Sequence, residues 1–179
     1  MINRTDIFQK FHPGFARVDS PHLITLHGTG GGVDAEALFK WYETLPTLTD
    51  KWSINRTANL NRGIGMYHYL IDRDGTVYEM LNELKWAYHS HAGRNDRATL
   101  GIELINPDRS NGFQYTDEQY TALNNLISNI NLRHTIKGIE SHNYRARRYS
   151  NLVPPAVTPC PGVGFDWERL NDFGVEVRS

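Results

Sequence analysis

"GMYHYLIDRDGTVYEM", residues 65–80, sets two runs of β-forming residues on either side of Asp74-Gly75. An Asp-Gly pair between such runs is a strong hairpin signal, because glycine takes up the positive φ that a tight turn demands. An antiparallel pair is expected in the middle of the chain, and its surroundings decide the fold. "HLITLH" (22–27) is a short β-rich run that ends in the sharp-turning "GTGGG". "KWAYHSHAG" (85–93) reads as strand and then loop. "TLGIELI" (99–105) has the apolar character of a central strand, with Glu103 set inside it, and "IKGIESH" (136–142) reads as a further strand ending at His142.

Helices fall between these strands. "VDAEALFKWYE" brings Leu38, Phe39 and Tyr42 to one face behind a capping Asp34. Over 116–132, Thr116 and Gln119 have capping-box spacing, and Tyr120, Leu123, Ile127 and Ile130 form the stripe. "FDWERL" (165–170) reads as a short last helix, 45–63 as a long polar loop over one edge, and the first twenty residues as an irregular arm. Strands alternating with helices around a hairpin predict an α/β fold: a single domain, with a central mixed β-sheet and flanking α-helices. Within it, 1–21 is the N-terminal arm and 22–179 the main body.

A chain of 179 residues suits one domain with a sizeable core. The net charge of −1 makes no electrostatic case for nucleic acid or membrane surfaces as partners; Arg145, Arg147 and Arg148 are a local exception. One cysteine leaves no internal disulfide framework. No apolar run approaches the ~20 residues of a membrane span. The first twenty residues lack the apolar segment of a secretory signal, so cytoplasmic synthesis is expected.

The eight histidines include two, His27 and His142, at expected strand ends beside loops, where an α/β sheet presents functional groups. With the thiolate of Cys160 they would make three ligands, and zinc enzymes commonly keep the fourth tetrahedral position for water. A strand-end histidine is more often an ordinary hydrogen-bonded residue, however, and a lone cysteine a small buried hydrophobe. Their spacing forms no compact metal motif. On composition alone the assignment stays open.

Five stretches change that reading. "ITLHGTGGG", "GMYHYLIDRDGTV", "SHAGRNDRATLGIELIN", "IKGIESHNY" and "TPCPG" with the following "FDW" occur in the order, and at roughly the spacing, of one family, from about residue 22 to 172. The chain resembles the zinc-dependent N-acetylmuramoyl-L-alanine amidases, which include T7-type phage lysozyme, the anhydro-muropeptide amidase AmpD and the animal peptidoglycan recognition proteins. The resemblance implies one Zn2+ held by His27, His142 and Cys160 plus a water. It places Tyr67 at the active-site tyrosine, Glu103 at the glutamate near the zinc, and Thr158 where relatives carry lysine or threonine. His91 falls at a cleft histidine expected to touch substrate rather than metal; Trp86 and Tyr88 are candidates for lining the groove, although aromatics on a strand are more often core. His68, on the opposite face from Tyr67, is expected to pack, and His89 and His134 carry no assigned role.

Two departures stand out. The interval from His142 to Cys160 is longer than is usual, with 143–157 as apparent extra loop, and Ser141 stands where glycine is common. Closing a longer loop costs little entropy, so the ligand set can survive it.

The implied chemistry is hydrolysis of the amide between N-acetylmuramic acid and L-alanine. Glu103 would move the proton, and Tyr67 and Thr158 would face the oxyanion. The partner is peptidoglycan or a muropeptide, met by a monomer. A phage endolysin acting on the wall after release is favoured over a cytoplasmic recycling amidase. "NYRARRY" would then hold the anionic wall. Two other classes remain: a peptidoglycan-binding module without catalysis, and a cysteine hydrolase with Cys160 as nucleophile and His142 as base. Prolines on both sides of Cys160 leave the second without a helix N-terminus to lower the thiol pKa.

Overall fold

The structure, a computed structural model, describes residues 1–108, 111–149 and 158–179. Its strands are β1 (Ile2–Asn3), β2 (Phe15–Ala16), β3 (Leu23–Gly28), β4 (Tyr69–Ile71), β5 (Val77–Glu79), β6 (Lys85–Trp86), β7 (Thr99–Leu104), β8 (Gly138–Ser141) and β9 (Glu176–Arg178). Its helices are α1 (Thr5–Gln9), α2 (Ala35–Thr44), α3 (Lys51–Leu60), α4 (Asp117–Asn131) and α5 (His142–Tyr149). Seven strands form one sheet in the order β1-β5-β4-β7-β3-β8-β9. The hairpin pair β4–β5 is antiparallel and the other neighbours run parallel, so the sheet is mixed and flanked by helices, as the alternation of elements predicts.

The two faces of the sheet differ, because side chains alternate along each strand. One face is apolar. Ile24 and Leu26 of β3, Leu100, Ile102 and Leu104 of β7, and Ile139 of β8 pack under Leu123, Ile127 and Ile130 of α4. The capping box of Thr116 and Gln119 forms at the start of that helix. The opposite face carries Thr25, His27, Thr99, Gly101, Glu103 and Glu140 on the same central strands. A second apolar cluster, from α1 and α2 with Leu60, Met66, Tyr67, Leu70 and Met80, lies beside this polar floor. No helix of the described residues is long and apolar enough to cross a membrane.

Four expectations are corrected. The first twenty residues are not an irregular arm: β1 pairs with β5, β2 pairs with β6, and Ile7 and Phe8 of α1 are fully buried. These elements are too short to give a periodic signal. Residues 45–63 contain a 3-10 turn at Leu45–Thr47 and then α3, capped by Asp50, whose side chain accepts from the Ser53 N–H at 2.9 Å. Only Ser53 and Leu60 of that helix are buried, so no apolar stripe announces it. His142 does not end a strand; it begins α5, which the Ser141 hydroxyl caps by accepting from the Tyr144 N–H at 2.9 Å. The apparent extra loop is thus helical to Tyr149, and 150–157 lie outside the described residues. Lastly, 165–170 holds only a 3-10 turn at Trp167–Arg169, and the edge strand β9 follows it.

Candidate metal centre

The centre stands at the C-terminal ends of parallel strands, where an α/β sheet opens to ligands. Parallel register sets His27 of β3 directly beside Glu103 of β7. Both side chains leave the polar face of the sheet towards a cleft of about 1190 Å³ whose walls include His27, Glu103, Tyr67, His91 and His142.

Cys160 arrives from far along the chain, and hydrogen bonds dock it. The Gly28 N–H donates to its sulfur at 3.2 Å, the Asn143 N–H to its carbonyl oxygen at 3.0 Å, and the Tyr115 hydroxyl to the Pro161 oxygen at 2.7 Å. A β-carbon at position 28 would overlap the Tyr115 hydroxyl and lie 2.5 Å from that same Pro161 oxygen. Glycine is therefore a steric requirement for this approach of turn to strand.

His27 Nδ1 lies 3.1 Å from His142 Nδ1 and 3.9 Å from Cys160 Sγ. One ligand atom from each of the three residues falls within 4.8 Å of the others. Around a tetrahedral zinc, bond lengths of about 2.0–2.3 Å imply ligand–ligand edges of roughly 3.3–3.6 Å. Two imidazoles and one thiolate are also the donor types that zinc takes. His27 and Cys160 are buried, whereas His142 is half-buried and faces the cleft. The residues present fit the ion.

Tyr67 is 4% exposed, and its hydroxyl is buried in the wall of the cleft. Burial, with Tyr42 and Glu103 nearby, pushes its ionisation well above the ordinary tyrosine value, so it stays a proton donor. Glu103 is half-buried in the cleft wall. The Thr158 side-chain oxygen accepts from the Cys160 N–H at 3.3 Å, which keeps it beside the third ligand. His91 takes a positive φ of 59°, rare for a residue with a side chain, and its ring stacks on His142 at 5.4 Å.

Trp86 belongs elsewhere. It pairs with Phe15 between β6 and β2, packs on the Phe15 ring at 4.7 Å, and is absent from the cleft lining, which does include the other candidate aromatic, Tyr88. His68 packs as expected. It is fully buried, accepting from the Gly101 N–H at 3.0 Å, with its Nε2 3.0 Å from the Lys85 oxygen.

Other functional residues escaped the sequence reading. The cleft wall opposite the sheet is built by α2 and α3, including Trp41, Trp52 and Arg56. The Asp50 cap was the one signal for α3. His89 lies 3.0 Å from His27 and is kept neutral, since burial and then His68 lower its pKa well below the usual value. Arg145 does not serve as a basic surface: its buried side chain contacts Asp96 at 3.2 Å and also Glu140. Asp96 in turn accepts from the His89 and Ser90 N–H groups at 2.9 and 3.1 Å. Arg147 and Arg148 are the exposed members of that run.

A mixed sheet at whose C-terminal edge two histidines and a buried thiol converge defines an α/β protein with a cleft whose donors could hold a metal ion. A family model described as N-acetylmuramoyl-L-alanine amidase matches residues 17–163, and the chain belongs to that family. A comparison with curated proteins finds no match. Among solved structures, a selenomethionine derivative of AmpD is 25% identical, with 88% of each chain covered and a TM-score of 0.60. The phage endolysin Ph2119 from Thermus scotoductus is 22% identical, over 93% of this chain and 94% of its own, at a TM-score of 0.60. The peptidoglycan recognition protein PGRP-SA of Apis mellifera shares the fold at 14% identity and a TM-score of 0.67, over 99% of this chain and 98% of its own.

Proposed function

We propose that the chain is a zinc-dependent N-acetylmuramoyl-L-alanine amidase that acts on peptidoglycan as a monomeric lytic endolysin, after release onto the wall. The observation that carries this reading is the convergence of His27, His142 and Cys160, with ligand atoms within 4.8 Å of one another at the wall of a large cleft. His27, His142 and Cys160 would hold the zinc ion, which would supply Lewis-acid polarisation of the carbonyl and a water acidified towards a pKa of about 7.

The remaining work falls to the chain. Glu103, fixed beside His27 by strand register, takes a proton from the attacking water and passes it to the leaving amine. Tyr67, buried and protonated at its hydroxyl, donates to the oxygen on which negative charge develops. Thr158 offers a second hydroxyl from the side of Cys160. His91, held at the cleft mouth by its unusual backbone, contacts the substrate. Endolysins and AmpD both occur among the similar structures; the endolysin reading predicts that intact sacculi are cut in preference to free anhydro-muropeptides.

The test is digestion of purified sacculi with and without a chelator, followed by mass identification of new free L-alanine amino termini. Those termini should appear and chelation should stop them. Cuts elsewhere in the wall, turnover indifferent to metal removal, or binding without cutting would each overturn the reading.

A further inference from the structure

With His89 neutral, one direction of the hydrogen-bond chain behind His27 satisfies all three of its contacts. The Thr99 hydroxyl lies 3.0 Å from the Asp96 carbonyl oxygen, which can only accept, so Thr99 spends its single proton there. The Thr99 oxygen is also 2.8 Å from His89 Nε2, and with its proton already placed it must accept from an Nε2–H. A neutral His89 with its proton on Nε2 has a lone pair on Nδ1. That atom is 3.0 Å from His27 Nε2, which must then be the donor. His27 is left with an unprotonated Nδ1, the atom that faces His142 Nδ1 and Cys160 Sγ.

The surroundings of His89 are shaped to hold this arrangement. Its ring lies on Gly101 of β7, where a β-carbon would come within 3.2 Å of it. Its backbone N–H is bonded by Asp96, which the buried Arg145 anchors. His89 and Thr99 are both buried.

We propose that His89 is a positioning residue that locks His27 in the Nε2–H tautomer, presenting Nδ1 to the metal, and that Thr99 sets the direction of the relay. The proposal rests on the reading of His27 as a zinc ligand. A neighbour that donates to or accepts from a ligand imidazole commonly changes metal affinity by about 10–100-fold.

Two measurements test it. The first reads the His27 tautomer by long-range proton–nitrogen NMR correlations on the metal-free protein, before zinc enters the question. Wild type and Thr99→Ser should show a single Nε2–H form. Thr99→Val, nearly the same shape but without an acceptor, should show mixed tautomers, as should His89→Ala. The second is zinc affinity by competition with a chromophoric chelator. Thr99→Val and His89→Ala should bind on the order of 10–100-fold more weakly, with Thr99→Ser close to wild type. If His89→Ala fails to fold, Thr99→Val carries both measurements. A His27 tautomer unchanged in Thr99→Val, or affinity unchanged in a variant whose tautomer has scrambled, overturns the relay. A wild type that takes up no zinc while showing the single Nε2–H form would instead sink the zinc reading and leave the tautomer lock standing.

Discussion

The two halves of the centre are made of different material. His27 and Glu103 sit on adjacent parallel strands, and an unbroken backbone ladder from Leu23↔Thr99 to Gly28↔Leu104 sets their relative position. His142 and Cys160 have no such ladder between them. One starts a helix behind a serine cap; the other rides on a turn docked by the Tyr115–Pro161, Asn143–Cys160 and Gly28–Cys160 bonds. The strand-borne half gains its geometry from many repeated bonds, so a side chain there can be exchanged without moving its neighbours. The docked half depends on a few specific contacts and is the easier one to displace.

Removing one proposed ligand from each half should have the largest effect. His27→Ala and Cys160→Ala should both lose zinc and reduce amide hydrolysis below detection, read by metal analysis and by release of muropeptides. If either variant keeps full turnover, the three-ligand centre is wrong. Removing the proton carrier from the strand-borne half should do less. Glu103→Ala should slow turnover by about 10²–10⁴-fold with zinc content unchanged, and loss of zinc in that variant would make Glu103 a support of the metal instead.

Displacing the docked half without touching a ligand should cost less again. Gly28→Ala forces the Tyr115 hydroxyl and the Pro161 carbonyl away from the strand. Zinc affinity should fall by roughly 10–100-fold, the range for disturbed ligand supports, while circular dichroism stays that of the folded protein. Unchanged affinity would show that the turn is held by other contacts.

The smallest effect concerns the polar floor under the strand-borne half. Burial first, and then the charge of Arg17, lower the His68 pKa from 6.5 to about 3. Below pH 6.5 the unfolded chain binds a proton there that the native state refuses, so stability falls as pH drops from 6.5 towards 3. From pH 6.5 to 5.5 the loss is about 1 kcal/mol, because the unfolded histidine is half protonated at pH 6.5 and the full slope of about 1.4 kcal/mol per pH unit is reached only below that interval. Urea denaturation should show that slope in wild type and a shallower one in His68→Leu. Equal slopes would mean that His68 is charged in the fold.

Legibility in the sequence follows the same division. β3, β7, α2 and α4 could be read because their apolar positions recur at a clear period and Asp34 and Thr116 mark helix starts. α1, α3 and β9 could not, being short or nearly without buried residues. His27, Glu103, Tyr67 and His91 were found through motif resemblance, and they line one cleft. Residue type alone suggests Trp86 and Tyr88; Tyr88 lines the cleft, while the fold packs Trp86 against Phe15. His89 is not legible in the sequence, because nothing in its local stretch distinguishes it from any other histidine.

By itself, the sequence determined which elements would form wherever a local period or cap was strong, and which residue types were available to hold a metal. Only the tertiary structure decided that Cys160 comes within 3.9 Å of His27 across 133 positions of chain. It also decided that Arg145 is an internal ion-pair partner and that His89 stands behind His27. Local patterns arise from short-range backbone geometry, which neighbouring residues specify. A ligand set arises from packing between distant segments, and no short stretch of sequence contains that information.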